Sequence, residues 1–458
     1  MSAQSPDPLV RAILQLADHL SSGTTPYEFH TPTPETHAKV LRRLALEHVI
    51  EAGDEGSGAA RAASTSSGND RTLSDKLTLR AKTDTELWGW SLPLDSQQEA
   101  QYLPASLIAP EQDDLRSQLV QQDAATGTSL PLIRLSNLYL PSIRPNLEQD
   151  THLLAQRRQA VLYAHSAFPT SAQDSVFFGP DTYRFVRFLH ESLGLLSPPR
   201  GAQSWRMGVD VGTGAGAGAI VLAGLKQSEG VASAAADESA TQKPLIDTVL
   251  GTDINRLALR FAQANSELYR NTTQAAPISD WSSRLDFRLC SLLSGLTDAE
   301  RSDVDLIVSN PPYIAFDTPG DQRDNSGSGT TGGATYADGG KLGIALPLLI
   351  LWDALDTLPI GGVCLLYTGV PILMSGPGSS ARAGINPLWS AVREIEAKGK
   401  AKVEYWDTMD SDVFGDEMVG PEAEQQGSTS SESAKLGAYA RTGVARIEVV
   451  GVAVRKTS

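Results

Sequence analysis

The segment VDVGTGAGAGAIVLA (209–223) limits the fold of this chain more than any other, because an apolar run passes without a break into a glycine-rich turn and then into a helix-forming stretch. Glycines at 212, 214, 216 and 218 let the backbone turn sharply and approach a ligand where a Cβ would collide. Strand, tight turn and helix in that order open a parallel α/β unit. The alternation then repeats: DTVLGTDI (247–254) reads as a strand, NRLALRFAQANSELYRN (255–271) as a helix with apolar residues at helical spacing, and RLDFRLC, VDLIVSN and GGVCLLYTGV as three further strands. GIALPLLILWDALDTL supplies the helix before the last of these, and KVEYWDT and ARIEVVGVAVRK two closing strands, the final one alternating enough to pair antiparallel. The expected fold is α/β: a Rossmann-like, doubly wound, mostly parallel sheet of seven strands with an N-terminal accessory α+β region.

The chain has 458 residues, room for this core and an accessory part, and the expected division is residues 1–175 as an accessory, substrate-recognising region and 176–458 as the catalytic domain. VFFGPDTYRFVRFLHESL (176–193) reads as a helix entered through Gly179, Pro180 and Asp181, with Phe185, Phe188 and Leu189 on one face. Upstream, 8–22 and 35–50 read as helical, LPLIRLSNLYL and RQAVLYAHSAF as strands. Stretches rich in Gly, Ser, Ala, Thr and acidic residues near 54–73, 228–243, 318–333, 376–384 and 420–436 read as insertions too poor in apolar residues to order themselves.

A formal net charge of −16 makes the surface as a whole repel polyanions, and with no Lys/Arg-rich run it disfavours nucleic acid as a partner. Cys290 and Cys364 show no C-x-x-C spacing and no neighbouring histidines, so no metal site and no disulfide framework is expected. The N-terminus lacks a secretory pattern and no apolar stretch reaches a membrane span, which points to a cytoplasmic protein, a nuclear address being left open.

Three features carry chemistry. The glycine turn, with Asp210, Gly212, Thr213, Gly214 and Gly216, is the first; a nicotinamide site would show much the same feature, and a turn that serves packing alone is the lesser alternative. The second is Asp253, followed by Ile254, at the end of the next strand, where a carboxylate accepts hydrogen bonds from ribose hydroxyls or caps the following helix. The third is DVDLIVSNPPYIAF (303–316), a strand ending in Asn310, Pro311, Pro312 and Tyr313. Two prolines cannot continue a central strand, so the chain leaves the sheet rigidly at the carboxyl edge, where open α/β sheets bind ligands. An amide or aromatic amino nitrogen is a poor nucleophile because its lone pair is delocalised. If the Asn310 oxygen and the Pro311 carbonyl each accept one of its hydrogens, the lone pair is drawn out of conjugation and aimed, with alignment and a pre-set polar site supplying the acceleration. Tyr313 would offer a wall for a planar group to stack on.

At these residues the sequence resembles the class I S-adenosylmethionine-dependent methyltransferases with an N-P-P-Y motif, and most closely the release-factor glutamine methyltransferase group, over roughly residues 176–455. The resemblance implies that DVGTGAG (210–216) binds the methionine moiety of S-adenosylmethionine, that Asp253 holds the ribose, and that Asn310 to Tyr313 form the catalytic loop beside cofactor and acceptor. YADGGKLGIAL (336–346) resembles the family's turn before the next helix. Two departures stand out: Cys290 and Ser291 occupy the loop where the family carries an adenine-side Asp, and GPDTYRF replaces Pro-Arg-x-Glu-Thr, keeping Pro180 and Thr182. The acceptor implied is an amide or amino nitrogen of a protein side chain or small molecule; a nucleic-acid amino group and an inactive, methyltransferase-like scaffold are the alternatives. His165 and His190 read as structural, and Trp88 and Trp90 as local core or part of an acceptor platform.

Overall fold

The computed structural model describes residues 7–21, 90–92, 120–122, 129–138, 161–166, 172–199, 201–225, 243–272, 284–315, 338–374, 384–410, 413 and 443–458. The expected helix at 35–50, Trp88 and nearly all of the five low-complexity stretches lie outside them.

In chain order the elements are α1 (Pro8–Ser21), β1 (Trp90–Leu92), β2 (Val120–Gln122), β3 (Ser129–Pro131), β4 (Ile133–Leu138), β5 (Val161–Ser166), α2 (Pro180–Leu195), β6 (Trp205–Val211), α3 (Ala217–Gly224), β7 (Ile246–Asp253), α4 (Arg256–Thr272), β8 (Leu285–Leu289) and α5 (Asp298–Asp303). There follow β9 (Val304–Ser309), a 3-10 turn (Lys341–Gly343), α6 (Ala345–Thr357), β10 (Val363–Met374), β11 (Gly384–Ile385), α7 (Pro387–Ala397), β12 (Ala401–Asp410) and β13 (Val444–Lys456).

The main sheet runs β12-β13-β10-β9-β6-β7-β8. From β10 to β8 all pairs are parallel, while β13 is antiparallel to both β10 and β12. This is the expected doubly wound, mostly parallel sheet with an antiparallel last strand. β11 adds a short antiparallel pairing at the far end of β10, through Leu373 and Ile385. β10 shows why a continuous apolar run suits a central strand: Val363, Leu365 and Tyr367 enter one core with α2, α3 and α4, and Cys364, Leu366 and Val370 enter the other with α6 and α7. The sheet is thus covered on both faces. The predicted face of α2 is the buried one, with Phe185, Phe188 and Leu189 all in the first core.

α7 had no counterpart among the sequence expectations, although Asn386 caps it by accepting from the Trp389 N–H at 2.8 Å and Pro387 occupies its first position.

The N-terminal elements join the same face. The Asp7 carboxylate receives both the Leu9 N–H and a two-pronged contact from Arg260 of α4, at 2.9 and 2.7 Å, which docks α1 on that helix. β5 forms a small antiparallel sheet with β4 and β1. Asn265 of α4 is fully buried and treats β5 as a strand partner would: it accepts from the Ala164 N–H and donates to the Ala164 carbonyl. Its amide also donates to the Ala215 carbonyl in the glycine turn. His165 is buried, hydrogen-bonded to the Ser166 carbonyl and stacked on Phe178. Burial pushes the His190 imidazole below its ordinary value. Among the described residues no helix is long and apolar enough to cross a membrane.

Candidate active site

The strand order places a switch point beside β6. After β6 the chain winds to β7 and β8 on one side, then returns to β9 and β10 on the other, so the loops leaving the carboxyl ends of β6 and β9 diverge and open a crevice. Ser309 ties the two strand ends together, donating from its buried hydroxyl to the Val211 carbonyl at 2.7 Å. Asp210, Gly212, Thr213, Gly214 and Gly216 leave β6, Asp253 and Ile254 end β7, Ser291 follows β8, and Asn310 follows β9. The residues of the three candidate motifs, with Ser291, therefore lie at one edge of one sheet.

The glycine turn is held from below. The amides of Gly212 and Thr213 both donate to the Thr252 carbonyl at 2.9 Å, and the Gly214 amide donates to Asp253 Oδ2 at the same distance. Gly212 and Gly214 have φ of +71° and +53°, and a Cβ on either would meet nothing within 4 Å. Their upper face is open, a cradle that side chains would fill. Gly216 serves a different purpose: its φ is +84°, and a Cβ there would stand 2.8 Å from the Ala262 Cβ of α4. It is the close packing point that lets α3 start.

Asp210 departs from the expected ligand role. It is 1% exposed, and its Oδ2 accepts from the Thr213 hydroxyl at 2.7 Å and from the Ala219 amide at 2.8 Å. The side chain braces the turn from inside and does not line the crevice. Burial pushes its carboxyl up to about 6, against the two hydrogen bonds that lower it.

Asp253 is at the crevice. Its Oδ1 accepts from the Asn255 amide at 2.8 Å and its Oδ2 from Gly214, leaving a second lone pair on each oxygen. Burial raises its carboxyl above the ordinary value, opposed by the N–H groups of Asn255, Gly214 and Ile254. It braces the glycine turn, whereas the cap of α4 that the sequence left open for it falls to Asn255, whose Oδ1 accepts from the Leu257 amide at 2.9 Å. Beside it, Ile254 is 60% and Leu289 41% exposed, two large apolar side chains turned outward at the ends of adjacent strands. Ser291 is exposed where the adenine-side Asp of the resembled family would stand. The next residue, Leu292, has φ of +49°, a conformation that β-carbon-bearing residues hold only when their surroundings enforce it.

The loop after β9 is fixed by its neighbours. Pro311 and Tyr313 are buried, while Asn310 is half-buried. Asp338 pairs with Ile314 in parallel, the Gly339 amide donates to the Ile314 carbonyl at 2.9 Å, and a Cβ on Gly339 would lie 2.6 Å from the Tyr313 Cα. The Asp338–Gly340 turn is therefore wedged against the loop. Tyr313, expected as an exposed stacking wall, is turned inward. Its ring is 8% exposed and packs against Gly369, and its hydroxyl donates to Asp181 Oδ2 at 2.5 Å. The physical reason is the missing side chain at Gly369, which leaves a slot that the ring fills.

Asp181 and Arg184 are the site residues that the sequence reading missed. Tyr367 of β10 donates to Asp181 Oδ1 at 3.1 Å, and Arg184 links onward to Asp410 at the end of β12, Nη2 to Oδ2 3.0 Å. Among the described residues no group of three or more His, Cys, Asp or Glu is placed to hold a metal ion.

No protein-family model matches the chain, and no curated protein matches it in sequence. Solved structures similar to it include geranyl diphosphate C-methyltransferase from Streptomyces coelicolor A3(2), 13% identical over 59% of this chain and 76% of that one, TM-score 0.32. An rRNA methylase from Streptococcus thermophilus is 11% identical over 62% and 99%, TM-score 0.29. The [4+2]-cyclase SpnF is 14% identical over 61% and 81%, TM-score 0.31. Methyltransferases and a cyclase stand side by side here, so nothing about the chemistry of this chain follows from such likeness.

Proposed function

We propose that the chain is an S-adenosylmethionine-dependent N-methyltransferase acting on a planar amide or amino nitrogen of a protein side chain or small molecule, with residues 1–175 as the accessory region that selects the acceptor. The observation that carries this reading is the meeting, at one switch-point crevice, of an open glycine cradle, a ribose-type carboxylate and the rigid Asn-Pro-Pro exit.

The residues fit the cofactor. The open face of Gly212 and Gly214 accommodates a methionine moiety, Asp253 has lone pairs for two ribose hydroxyls, and Ile254 and Leu289 offer apolar surface to an adenine ring. Ser291 has a hydroxyl oxygen that accepts from an exocyclic amine, in place of the family's Asp. When bound, S-adenosylmethionine supplies an electrophilic methyl group on a sulfonium. Asn310 Oδ1 and the Pro311 carbonyl accept the two N–H hydrogens of the acceptor, which orients its lone pair toward that methyl group. Transfer to that nitrogen would form the N–C bond as the S–C bond breaks, and the surplus proton on nitrogen would leave to solvent. Asn310 is suited to this, since its side chain makes no hydrogen bond to any described residue. With Tyr313 turned inward, the planar acceptor is held by its edge, through those two acceptors.

Calorimetric titration of the full chain with S-adenosylmethionine and S-adenosylhomocysteine, beside Asp253→Ala, tests the first link. Binding by the wild type with loss in the variant supports the cofactor site. A labelled-methyl screen of proteins, nucleic acids and metabolites with an Asn310→Ala control then tests the transfer. Label on nucleic acid would replace the acceptor class, and binding without transfer to any class would favour the scaffold.

A further inference from the structure

We infer that Asp181 is a positioning residue for the Asn310–Tyr313 loop, an inference that rests on the methyl-transfer reading. The two prolines stiffen the loop but do not fix how it is rotated about the end of β9. That rotation decides where Asn310 Oδ1 and the Pro311 carbonyl point, and the far end of the loop is where it is set.

Tyr313 is that far end, and it is held three ways. Its ring fills the slot above Gly369, its backbone rests on Gly339, and its hydroxyl donates to Asp181. The first two contacts are apolar or steric; the third is directional. Burial, with the Asp181 charge beside them, pushes the Tyr313 and Tyr367 phenols well above their ordinary range, so both stay protonated and donate. One carboxylate thus receives two hydroxyls, one on each oxygen, from the loop and from the neighbouring strand β10.

Asp181 is itself anchored. It lies in the first turn of α2, where the helix dipole favours a negative charge, and α2 is anchored in the core by Phe185, Phe188 and Leu189. Arg184, one turn on, has Nη1 3.9 Å from Asp181 Oδ1 and Nη2 on Asp410, so the carboxylate faces a cation fastened at its other end. The chain Tyr313–Asp181–Arg184–Asp410 ties the loop to α2 and to the sheet edge strand β12. The contacts named for it involve neither the glycine turn nor Asp253, so its removal is expected to leave the cofactor side intact.

The test compares the full-length wild type with Asp181→Asn, Tyr313→Phe, Tyr367→Phe and the Asp181→Asn/Tyr313→Phe double variant. Asparagine keeps the size of the side chain but has one acceptor oxygen for two hydroxyls. Three readouts are taken: S-adenosylhomocysteine affinity, amide exchange in peptides spanning 304–315 and 338–346, and labelled-methyl transfer to the acceptor fraction that the wild type labels. Expected are affinity unchanged within about twofold, faster exchange confined to those two peptides, and transfer reduced on the order of 10- to 100-fold in kcat with acceptor KM held. If Asp181 acts on the loop through Tyr313, the double variant should be no slower than the worse single one, because the Tyr313–Asp181 bond is shared by both changes. Transfer and exchange at wild-type levels in Asp181→Asn, or single losses that multiply in the double variant, would overturn the inference. If Asp181→Asn does not fold, Tyr313→Phe, which loses only an oxygen, decides by the same readouts. A wild type that binds no S-adenosylhomocysteine sinks the methyl-transfer reading, whereas the exchange data still report whether Asp181 holds the loop.

Discussion

The ring of Tyr313 occupies the space that a side chain on Gly369 would need. β10 therefore carries a glycine in its middle for the sake of a residue 56 positions earlier, and the fold and the candidate site are coupled at that point. Gly369→Ala should force the ring or the strand aside. Overpacking of this kind costs about 1–3 kcal/mol, so thermal unfolding should begin earlier. Labelled-methyl transfer should fall with it, while S-adenosylhomocysteine titrates as in the wild type, since the cofactor edge lies two strands away. An unchanged melting profile would show that the slot is looser than the packing indicates.

Gly212 and Gly216 share a left-handed backbone but differ in what surrounds them, so alanine should act differently at each. At Gly216 the new methyl meets the α4 backbone, 2.9 Å from the Ala262 Cα, and neither side can yield cheaply. Strain and overpacking together suggest a loss of about 2–5 kcal/mol. At Gly212 the methyl enters open space, so the cost is the backbone strain alone, roughly 1–2 kcal/mol. The same methyl would, however, stand in the cradle. Chemical unfolding and cofactor titration should therefore separate the pair, Gly216→Ala mainly losing stability and Gly212→Ala mainly losing affinity. Equal affinities for Gly212→Ala and wild type would mean that this face is not where the ligand lies.

What was legible in the sequence is what local chemistry encodes. The apolar runs of β6, β7, β9 and β10, the turn glycines, the Pro-Pro exit and the alternation in β13 each follow from a few adjacent residues, and each stands close to its expected boundaries. The start of α7 could have been read as well, from Asn386 and Pro387. Asp181 could not, because its partners are 132 and 186 residues away and no spacing rule joins a helix start to two tyrosines. The orientation of Tyr313 was hidden for the same reason, being fixed by Gly369 and Asp181. Asp210 was misjudged for a subtler one: a carboxylate at the end of a strand reads as a ligand until its hydrogen bonds show it serving the turn from beneath.

Asn265 joins β5 to the glycine turn, so its loss should be felt at both. Asn265→Leu would leave the Ala164 amide and the carbonyls of Ala164 and Ala215 without this partner in a buried place. Each such group costs about 1–3 kcal/mol, although Ala164 also pairs with Leu135 across β4 and β5. The expected outcome is a loss of a few kcal/mol in urea unfolding, with weaker S-adenosylhomocysteine binding in the fraction that remains folded. Stability lost with full affinity retained would show that Ala215 does not need the tie to hold the turn.

Asp210 makes the stability of the chain depend on pH in a direction opposite to that of a salt-bridged carboxylate. Its folded value, about 6, lies above its ordinary 3.8, so between those values the folded chain binds more protons than the unfolded one. The group therefore contributes stability that is fully present below about pH 4 and is lost as the pH rises through about 6. The difference corresponds to roughly 3 kcal/mol. Asp210→Asn does not titrate, and its amide oxygen placed at the Oδ2 position still accepts from Thr213 and Ala219. Urea unfolding of the two proteins across pH 4–7 should therefore show the variant gaining on the wild type by an amount of that order as the pH rises. A difference that stays flat across the range would mean that the Asp210 charge is better solvated than its burial implies, and the turn would then owe less to a buried ionised brace than the geometry indicates.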